Sequence, residues 1–517
     1  MRVEKYIVAW REIRNIAHDF INAPHLRKAF ALGIVLYALA LFALIRGDIY
    51  YIDDFATSTR DISWNHHSRF VGTFLLNDLS TFGKGALDMS PLLQVIAVCF
   101  VVISSMILLH LIRGKFDFIG IVASLPLGLS PHFLQNLSYK FESLFMAMAL
   151  FFAIMPFLFK EKIRIFCAIS VVSIICSFML YQAANATYII LSLYFAFWLY
   201  FLKGQNFKES ALFLALCAAN LIIASLIYGL TINNHLKSIG DAYASHEIIA
   251  LDSHFFIGIW ANISTYATTI FNDFKQTAYI WLILLNCCLF VANITLRTNL
   301  PKIALILGAT LFLTLGFALS FGLYLVLQKP IFETRAFYGF NAFVAVIAIA
   351  NVSFMLAKSL PTHATKSTLS APPHLPKILH YISCVVAVVT AYFLISFANI
   401  YGNAINKQDE YWDFRTKLLL SDLGKVVPRG ASVMISIENL ANSNHPVAQR
   451  FAEKYGGISR LIPSGEINTH LLGGYESAMM LGEFCNNAKE QSSGEILLKN
   501  AYHTIKRVKL CYIVTIR

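Results

Sequence analysis

A short polar stretch at positions 48–69, DIYYIDDFATSTRDISWNHHSR, holds the densest set of reactive side chains in the first 400 residues. It follows directly on an apolar run at residues 29–45, so its carboxylates lie beside a low-dielectric region. The adjacent acids Asp53 and Asp54 repel each other there, which raises the pKa of one of them and equips it to act as a general base toward a hydroxyl group. We predict that Asp53 or Asp54 is catalytic. The alternative is a solvated loop pair or a helix N-cap.

The same stretch supplies groups that suit an anionic substrate. Arg60 and Arg69 could clamp a phosphodiester, because a guanidinium matches phosphate oxygens bidentately, and Asp61 is a weaker candidate beside them. Each arginine could equally pair with a local aspartate. The histidines at 66–67 lack a third metal ligand in register, and Trp64 is typical of an interfacial aromatic.

Three later segments carry further candidates. The segment SPHFLQNLSYKFESLFMAMAL (130–150) places Tyr139, Lys140 and Glu142 where an apolar run begins, and these residues could serve one anionic ligand. The alternative is an interfacial anchor with a capping acid. Gln182, in LYQAANATY (180–188), could bind sugar hydroxyls or hold helices together, and the second role is favoured. Arg335, in KPIFETRAFYG (329–339), is a phosphate candidate whose alternative partner is Glu333.

Composition places the chain in a membrane. Of its 517 residues 57% are hydrophobic and only 14% are charged, with a mean hydropathy of +0.62, whereas a soluble domain carries about 25% charged residues. The net charge of +12 would suggest nucleic acid in a soluble chain, but here basic residues concentrate in alternate loops, such as RGK, KEKIR, KGQNFK and RTNLPK. The positive-inside rule explains that pattern, so nucleic-acid binding is not expected.

The order of apolar runs predicts a polytopic α-helical protein of about eleven transmembrane helices, with the N-terminus in the cytoplasm. Flanking and connecting regions follow from composition. They are a basic amphipathic segment (1–28), the membrane region (29–400), its first extracytoplasmic loop (47–90), a large extracytoplasmic segment (230–276), a cytoplasmic linker (358–377) and a small extracytoplasmic α/β domain (401–517). All the candidate clusters then fall on the outer side. A transferase working there has no nucleotide donor and needs its sugar delivered on a lipid.

Cysteine usage indicates neither a metal centre nor a redox motif. The nine cysteines form no CxxC pair, and seven lie in apolar runs, where a small buried hydrophobe is the usual role. Cys485 and Cys511 are the two outside the membrane region, and an oxidising compartment would permit them to pair. No metal and no cofactor are predicted.

The motifs resemble those of a known family. YYIDDFATSTRDISW…SRF, SPHFLQNLSYKFESLFMAMAL and LYQAANATYIILSLY are similar, in this order, to the type II O-antigen-modifying glucosyltransferases, the serotype-converting enzymes of bacterial inner membranes. This family is linked to the GT-C architecture. The resemblance matches Asp53 or Asp54 to the acid of the first periplasmic loop. Lys140 and Glu142 match a tyrosine–basic–tyrosine–acid pattern, although Phe141 and Glu142 stand where the family has Tyr and Asp.

The resemblance implies an inverting transfer of glucose from undecaprenyl-phosphate glucose to a sugar of the O-antigen repeat. It also implies functional links to a donor synthase and a flippase. Two alternatives stay open: a flippase or transporter of lipid-linked sugars, and an O-antigen polymerase or ligase. Charges kept in outer loops, without visible internal repeats, favour the transferase over a transporter.

Overall fold

The computed structural model describes residues 2–59, 62–67, 69–231, 247–296, 300–354, 374–427, 434–439, 444–463, 480–481, 494–509 and 511–517. Its first half is helical. The helices are α1 (Arg2–Ile21), α2 (Leu26–Arg46), α3 (Asp54–Thr59), α4 (Phe70–Thr73, continued as a π-helix over Phe74–Leu79), α5 (Leu92–Ile112), α6 (Phe118–Ser124), α7 (Pro126–Leu129), α8 (Pro131–Ser138), α9 (Ser143–Ile154) and α10 (Ile163–Phe178).

The second half contains the remaining helices and one sheet. The helices are α11 (Asn185–Phe201), α12 (Phe207–Thr231), α13 (Phe255–Phe274), α14 (Ala278–Thr295), α15 (Lys302–Leu319), α16 (Tyr338–Ser353), α17 (Leu375–Val426) and α18 (Pro446–Tyr455). The strands are β1 (Met434–Glu438), β2 (Met480–Leu481), β3 (Glu495–Lys499), β4 (His503–Val508) and β5 (Cys511–Ile516). Short 3-10 turns connect several of these elements, including Gln182–Ala184, Thr334–Ala336 and Gly456–Leu461.

Seven of the described helices are long and apolar enough to cross a membrane, and an eighth span results if the pair Phe118–Leu129 and Pro131–Ser138, bent by 64°, is counted as one. The apolar runs at 144–159, 165–181 and 338–357 correspond to shorter apolar helices. The described residues therefore form a multi-helix protein with seven or eight candidate membrane spans by length and composition, and the count of about eleven stays a prediction. Ser130–Pro131 produces the bend, because Pro131 cannot donate a helical hydrogen bond to the preceding turn.

The core of the bundle is built around α16, in which every residue is buried. This explains why its sequence, YGFNAFVAVIAIANVS, is apolar on all sides rather than amphipathic. Helix α2 packs against the long helix α17, and Gly402 permits their close approach, since a Cβ there would lie 2.6 Å from the Leu44 backbone nitrogen. Asn406 Nδ2 donates to the Ala43 carbonyl at 2.6 Å in the same contact.

Helix α17 connects the bundle to the sheet. At about 1.5 Å per residue its 52 residues extend for about 80 Å, so it passes through position 401, where the water-soluble domain was predicted to begin, and ends at Val426. Its last turns bury Trp412, Leu419 and Leu423 against the sheet residues Ile505 and Val514. The C-terminal sheet is thus covered by the same helix that leaves the membrane bundle.

The sheet has five strands in the order β2-β1-β5-β4-β3. β1 runs parallel to both β2 and β5, and β5, β4 and β3 form an antiparallel meander. The segments ASVMISIENL and RVKLCYIVTIR contain β1 and β5, and the segment HPVAQRFAEKY contains α18, in agreement with the predicted α/β character of this region. The segment after α18, Gly456–Leu461, turns back toward the membrane bundle and contacts α13 and α8.

Candidate active site

Asp54 fastens the first polar loop to the start of α9. Its carboxylate is fully buried and accepts hydrogen bonds from three backbone N–H groups, those of Tyr51 (3.0 Å), Lys140 (2.9 Å) and Phe141 (3.3 Å). Burial raises the pKa of Asp54 to about 8 even though these donors favour its charged form. With its oxygens already engaged by the backbone, Asp54 has a structural position and not that of a proton acceptor for substrate.

Asp53 has the opposite environment. Its side chain is open to solvent, while the surrounding protein and the Glu142 carboxylate raise its pKa, and the charges of Arg335 and Arg69 oppose that rise. Ile52, just before it, has a left-handed φ of 50°, a conformation that costs a β-branched residue about 1–3 kcal/mol. The bonds of Tyr51 and Asp54 on either side hold this conformation. Asp53 is therefore an accessible carboxylate with raised pKa, on a loop fixed at both sides.

Glu142 organises the basic side of the Asp53 site, by which we mean Asp53, Arg69, Glu142 and Arg335. Its Oε1 accepts from the Trp64 indole nitrogen at 2.6 Å, and its Oε2 lies 3.3 Å from Arg69 Nη1. The Arg69 guanidinium also lies 4.6 Å from the centre of the Tyr181 ring, an arrangement typical of cation–π contact. Trp64, predicted as an interfacial aromatic, is instead a buried hydrogen-bond donor to a site acid.

Arg335 reaches the Asp53 site from the turn before α16. Its backbone nitrogen donates to Gln135 Oε1 at 2.7 Å, and its Nη1 donates to the Tyr139 hydroxyl. Because Gln135 also accepts from Thr334, the amide of α8 fixes the whole turn. The charges of these two half-buried arginines, Arg69 and Arg335, both act on the Asp53 carboxylate.

Lys140 is differently placed from its predicted role as an anion ligand. Its side chain is 3% exposed, and its Nζ lies 2.6 Å from Asp48 Oδ1 and 3.1 Å from Asp88 Oδ2, with the Tyr50 ring 4.2 Å away. Burial lowers the pKa of Lys140, but the two carboxylates outweigh that effect and the net shift is upward. Through Asp48, Tyr50 and Asp88, Lys140 connects the region between α2 and α5 to the start of α9.

The other predicted residues either connect neighbouring helices or lie outside the described residues. Gln182 Nε2 donates to the Tyr228 hydroxyl at 2.9 Å, which connects the turn before α11 to α12. Arg60 and Asp61 lie outside the described residues, as do the side chains at 66–67. Within the described part of the chain, no group of three or more His, Cys, Asp or Glu side chains is arranged to hold a metal ion.

The cysteines divide as the sequence suggested. The seven in the membrane region are free, whereas Cys511 in β5 is disulfide-bonded. Cys485, the predicted partner, lies outside the described residues, so this pairing stays a prediction.

A buried charge cluster joins α8, α13 and the turn after α18, and the sequence did not predict it. Asp273, at the end of α13, accepts from His132 Nε2 at 2.8 Å and from Arg460 Nε and Nη2 at 2.9 Å each. Arg460 belongs to the turn after α18, and the neighbouring Leu461 carbonyl accepts from the Tyr51 hydroxyl at 2.7 Å. Asp273 is 141 positions from His132 and 187 positions from Arg460, so no local pattern could have indicated the cluster.

Comparison with known proteins places these residues in a family context. Residues 29–346 match the family model described as Glucosyl transferase GtrII, which covers more than half of the chain and contains Asp53, Arg69, Glu142 and Arg335. A protein of Salmonella phage P22, described as an uncharacterized 55.3 kDa protein in the gtrB 5' region, is 24% identical over 248 residues. That match covers 46% of this chain and 50% of the phage protein, so it spans about half the length of this relative. No solved structure matches the chain.

Proposed function

Because the chain belongs to the GtrII glucosyl transferase family, we propose that its Asp53 site transfers glucose from undecaprenyl-phosphate glucose to a sugar of the O-antigen repeat. The reaction takes place on the periplasmic face of the bacterial inner membrane, with the N-terminus in the cytoplasm. The observation that carries the proposal is the solvent-open Asp53 carboxylate, whose pKa is raised by burial and Glu142 and on which the charges of Arg69 and Arg335 act.

The proposed chemistry uses this arrangement directly. The acceptor hydroxyl attacks the anomeric carbon while Asp53 takes its proton, and the bond between that carbon and the phosphate oxygen breaks. The leaving polyprenyl phosphate gains negative charge, which the two guanidinium groups stabilise with charge-assisted hydrogen bonds. Direct displacement inverts the anomeric centre, so a β-linked donor gives an α-linked product. This mechanism requires a base and cations, and we assign these roles to Asp53 and to Arg69 and Arg335.

The residue-level test compares the two neighbouring aspartates. Purified protein in proteoliposomes receives undecaprenyl-phosphate glucose, labelled in the sugar, and O-polysaccharide, and the label in the polysaccharide is counted. We expect Asp53→Asn to unfold at the wild-type temperature and to lose transfer by at least about a hundredfold, the usual contribution of a general base. We expect Asp54→Asn to unfold at a lower temperature, because an amide cannot accept all three backbone N–H bonds.

Asp78→Asn is the matched control, since Asp78 is an exposed carboxylate of the same loop. Full transfer by the Asp53→Asn protein would exclude Asp53 as the base. If the wild-type protein transfers no label to any O-polysaccharide but moves the lipid-linked sugar between leaflets, the transferase proposal is wrong and the chain is a flippase.

A further inference from the structure

A cavity lies near the Asp53 site, where the C-terminal domain meets the membrane bundle. It is a cavity of about 460 Å³, within the range of roughly 300–1,000 Å³ that is usual for ligand pockets. Three separate segments form its walls. They are the end of α13 (Thr269, Asn272, Asp273), residues 330–333, and the turn after α18 (Gly457, Arg460).

Two of these walls continue into the Asp53 site. Glu333 is two residues from Arg335, and Arg460 precedes Leu461, whose carbonyl holds the Tyr51 hydroxyl at 2.7 Å. Tyr51 is in turn two residues from Asp53. A ligand in the cavity would therefore lie next to the segments that position Asp53 and Arg335.

The charges of the cavity do not suit a phosphate. Arg460 is the cationic group of its lining, and two of its nitrogens are engaged by Asp273, while its Nη1 donates to the Phe332 carbonyl at 2.9 Å. Glu333 lies 3.6 Å from Arg460 Nη1, is 37% exposed and is part of the cavity lining. Asn272 Oδ1 already accepts from Lys275 Nζ at 2.9 Å, so the Asn272 amide can still donate through its nitrogen. An anionic ligand would be repelled by Glu333, whereas a polyhydroxyl ligand could donate to Glu333 and accept from the Asn272 Nδ2 group.

We propose that this cavity binds the acceptor glycan, and that Asn272 and Glu333 help to determine which O-antigen repeat is accepted. The inference rests on the proposed function and deepens it, because it separates the two substrates in space. The lipid phosphate lies with Arg69 and Arg335, and the neutral saccharide lies against α13 and the turn after α18. The C-terminal domain takes part in acceptor choice through this turn.

The test measures both substrates with the full-length protein in proteoliposomes. Asn272→Ala and Glu333→Gln are compared with Glu453→Gln, an exposed carboxylate of α18 outside the cavity. The probe is O-polysaccharide fragments of one and two repeat units, with undecaprenyl-phosphate glucose as donor. We expect each cavity variant to raise the acceptor KM by about tenfold, as the loss of a hydrogen bond to a charged or amide group would, with unchanged donor KM and unfolding temperature. An unchanged acceptor KM, or a raised donor KM, would overturn the inference.

A binding arm without donor separates this inference from the proposed function. Saturation-transfer NMR with the same fragments records contact between glycan and protein whether or not transfer occurs. Loss of the signal in both cavity variants, with retention in Glu453→Gln, supports the glycan site even if wild type fails to transfer glucose. Equal signals in all four proteins, or none in the wild type, contradict it.

Discussion

At the scale of single residues, Asp53 and Asp54 show how a shared sequence motif can separate into two roles. Asp54 turns into the protein and accepts from three backbone donors, while Asp53 stays open to solvent beside two arginines. The sequence indicates that one of two adjacent carboxyls should have a raised pKa, but it carries no information on which one faces the backbone. That depends on the position of Lys140 and Phe141, nearly ninety residues later.

The pH dependence of transfer should report Asp53. A general base must be deprotonated, so kcat/KM falls as pH drops through its pKa, which the surrounding protein and Glu142 hold above the ordinary value of 3.8. Glu142→Gln removes the repulsion and releases Arg69 from its partner, and both changes lower the pKa of Asp53. We expect the acid limb of the pH profile to move to lower pH in this variant. An acid limb that stays in place, with Asp78→Asn as control, would show that Asp53 is not the titrating group.

Arg69 should act on the donor rather than on the acceptor. Its guanidinium is planar, pairs with Glu142 at 3.3 Å and lies against the Tyr181 ring, so a lysine cannot reproduce its geometry. We expect Arg69→Lys to raise the donor KM by about tenfold, as expected for one lost charge-assisted hydrogen bond, with little change in acceptor KM. Arg450→Lys, an exposed substitution on α18, is the control. Equal increases in both KM values would indicate general disruption of the site instead.

At the scale of elements, the first polar loop is held at several points against α9. The alternation of apolar runs and polar breaks predicts that the reactive residues of this loop lie on the same side of the membrane as the segments containing Tyr139, Glu142 and Arg335. It could not assign ion-pair partners. Lys140 resembled a phosphate ligand in sequence, yet the fold gives it Asp48 and Asp88, from positions far along the chain.

Lys140→Met tests this structural role. Both carboxylates remain able to reach water, since Asp48 is 71% and Asp88 28% exposed, so we expect a moderate loss of about 1–3 kcal/mol in the free energy of unfolding. The loop should become more sensitive to protease, and kcat should fall while donor KM stays near wild type. Asp88→Asn added to Lys140→Met should cost little more, because the pair is already broken. A large rise in donor KM with a normal unfolding temperature would instead restore Lys140 as a phosphate ligand.

At the scale of the whole molecule, the membrane bundle and the C-terminal sheet are joined by two routes. One is α17, which runs unbroken from the bundle to the sheet, and the other is the turn Gly456–Leu461 against α13 and α8. The sequence predicted the small α/β region from its change of composition. The return contact could not be predicted, because it depends on Asp273, His132 and Arg460, which lie in three segments far apart in the sequence.

Asp273→Asn should loosen that return contact while α17 and the sheet stay intact. The amide keeps one acceptor and loses the charge that Arg460 binds with two nitrogens, so we expect a loss of roughly 1.5–3 kcal/mol in the free energy of unfolding. Burial alone would raise the pKa of Asp273, but His132 and Arg460 outweigh that effect and lower the pKa below 3.8. The charged carboxylate therefore contributes its full stabilisation at pH values above the pKa of an aspartate in the unfolded chain. That stabilisation is lost only as pH falls through the lowered pKa of Asp273 in the folded protein. The difference in unfolding temperature between wild type and variant should therefore be constant from about pH 5 to 8 and should shrink in stronger acid. Thermal unfolding across that range, with Asp252→Asn at an exposed site before α13 as control, measures it. A difference that disappears already near pH 6 would mean that His132, and not Asp273, governs how the C-terminal domain is held to the membrane bundle.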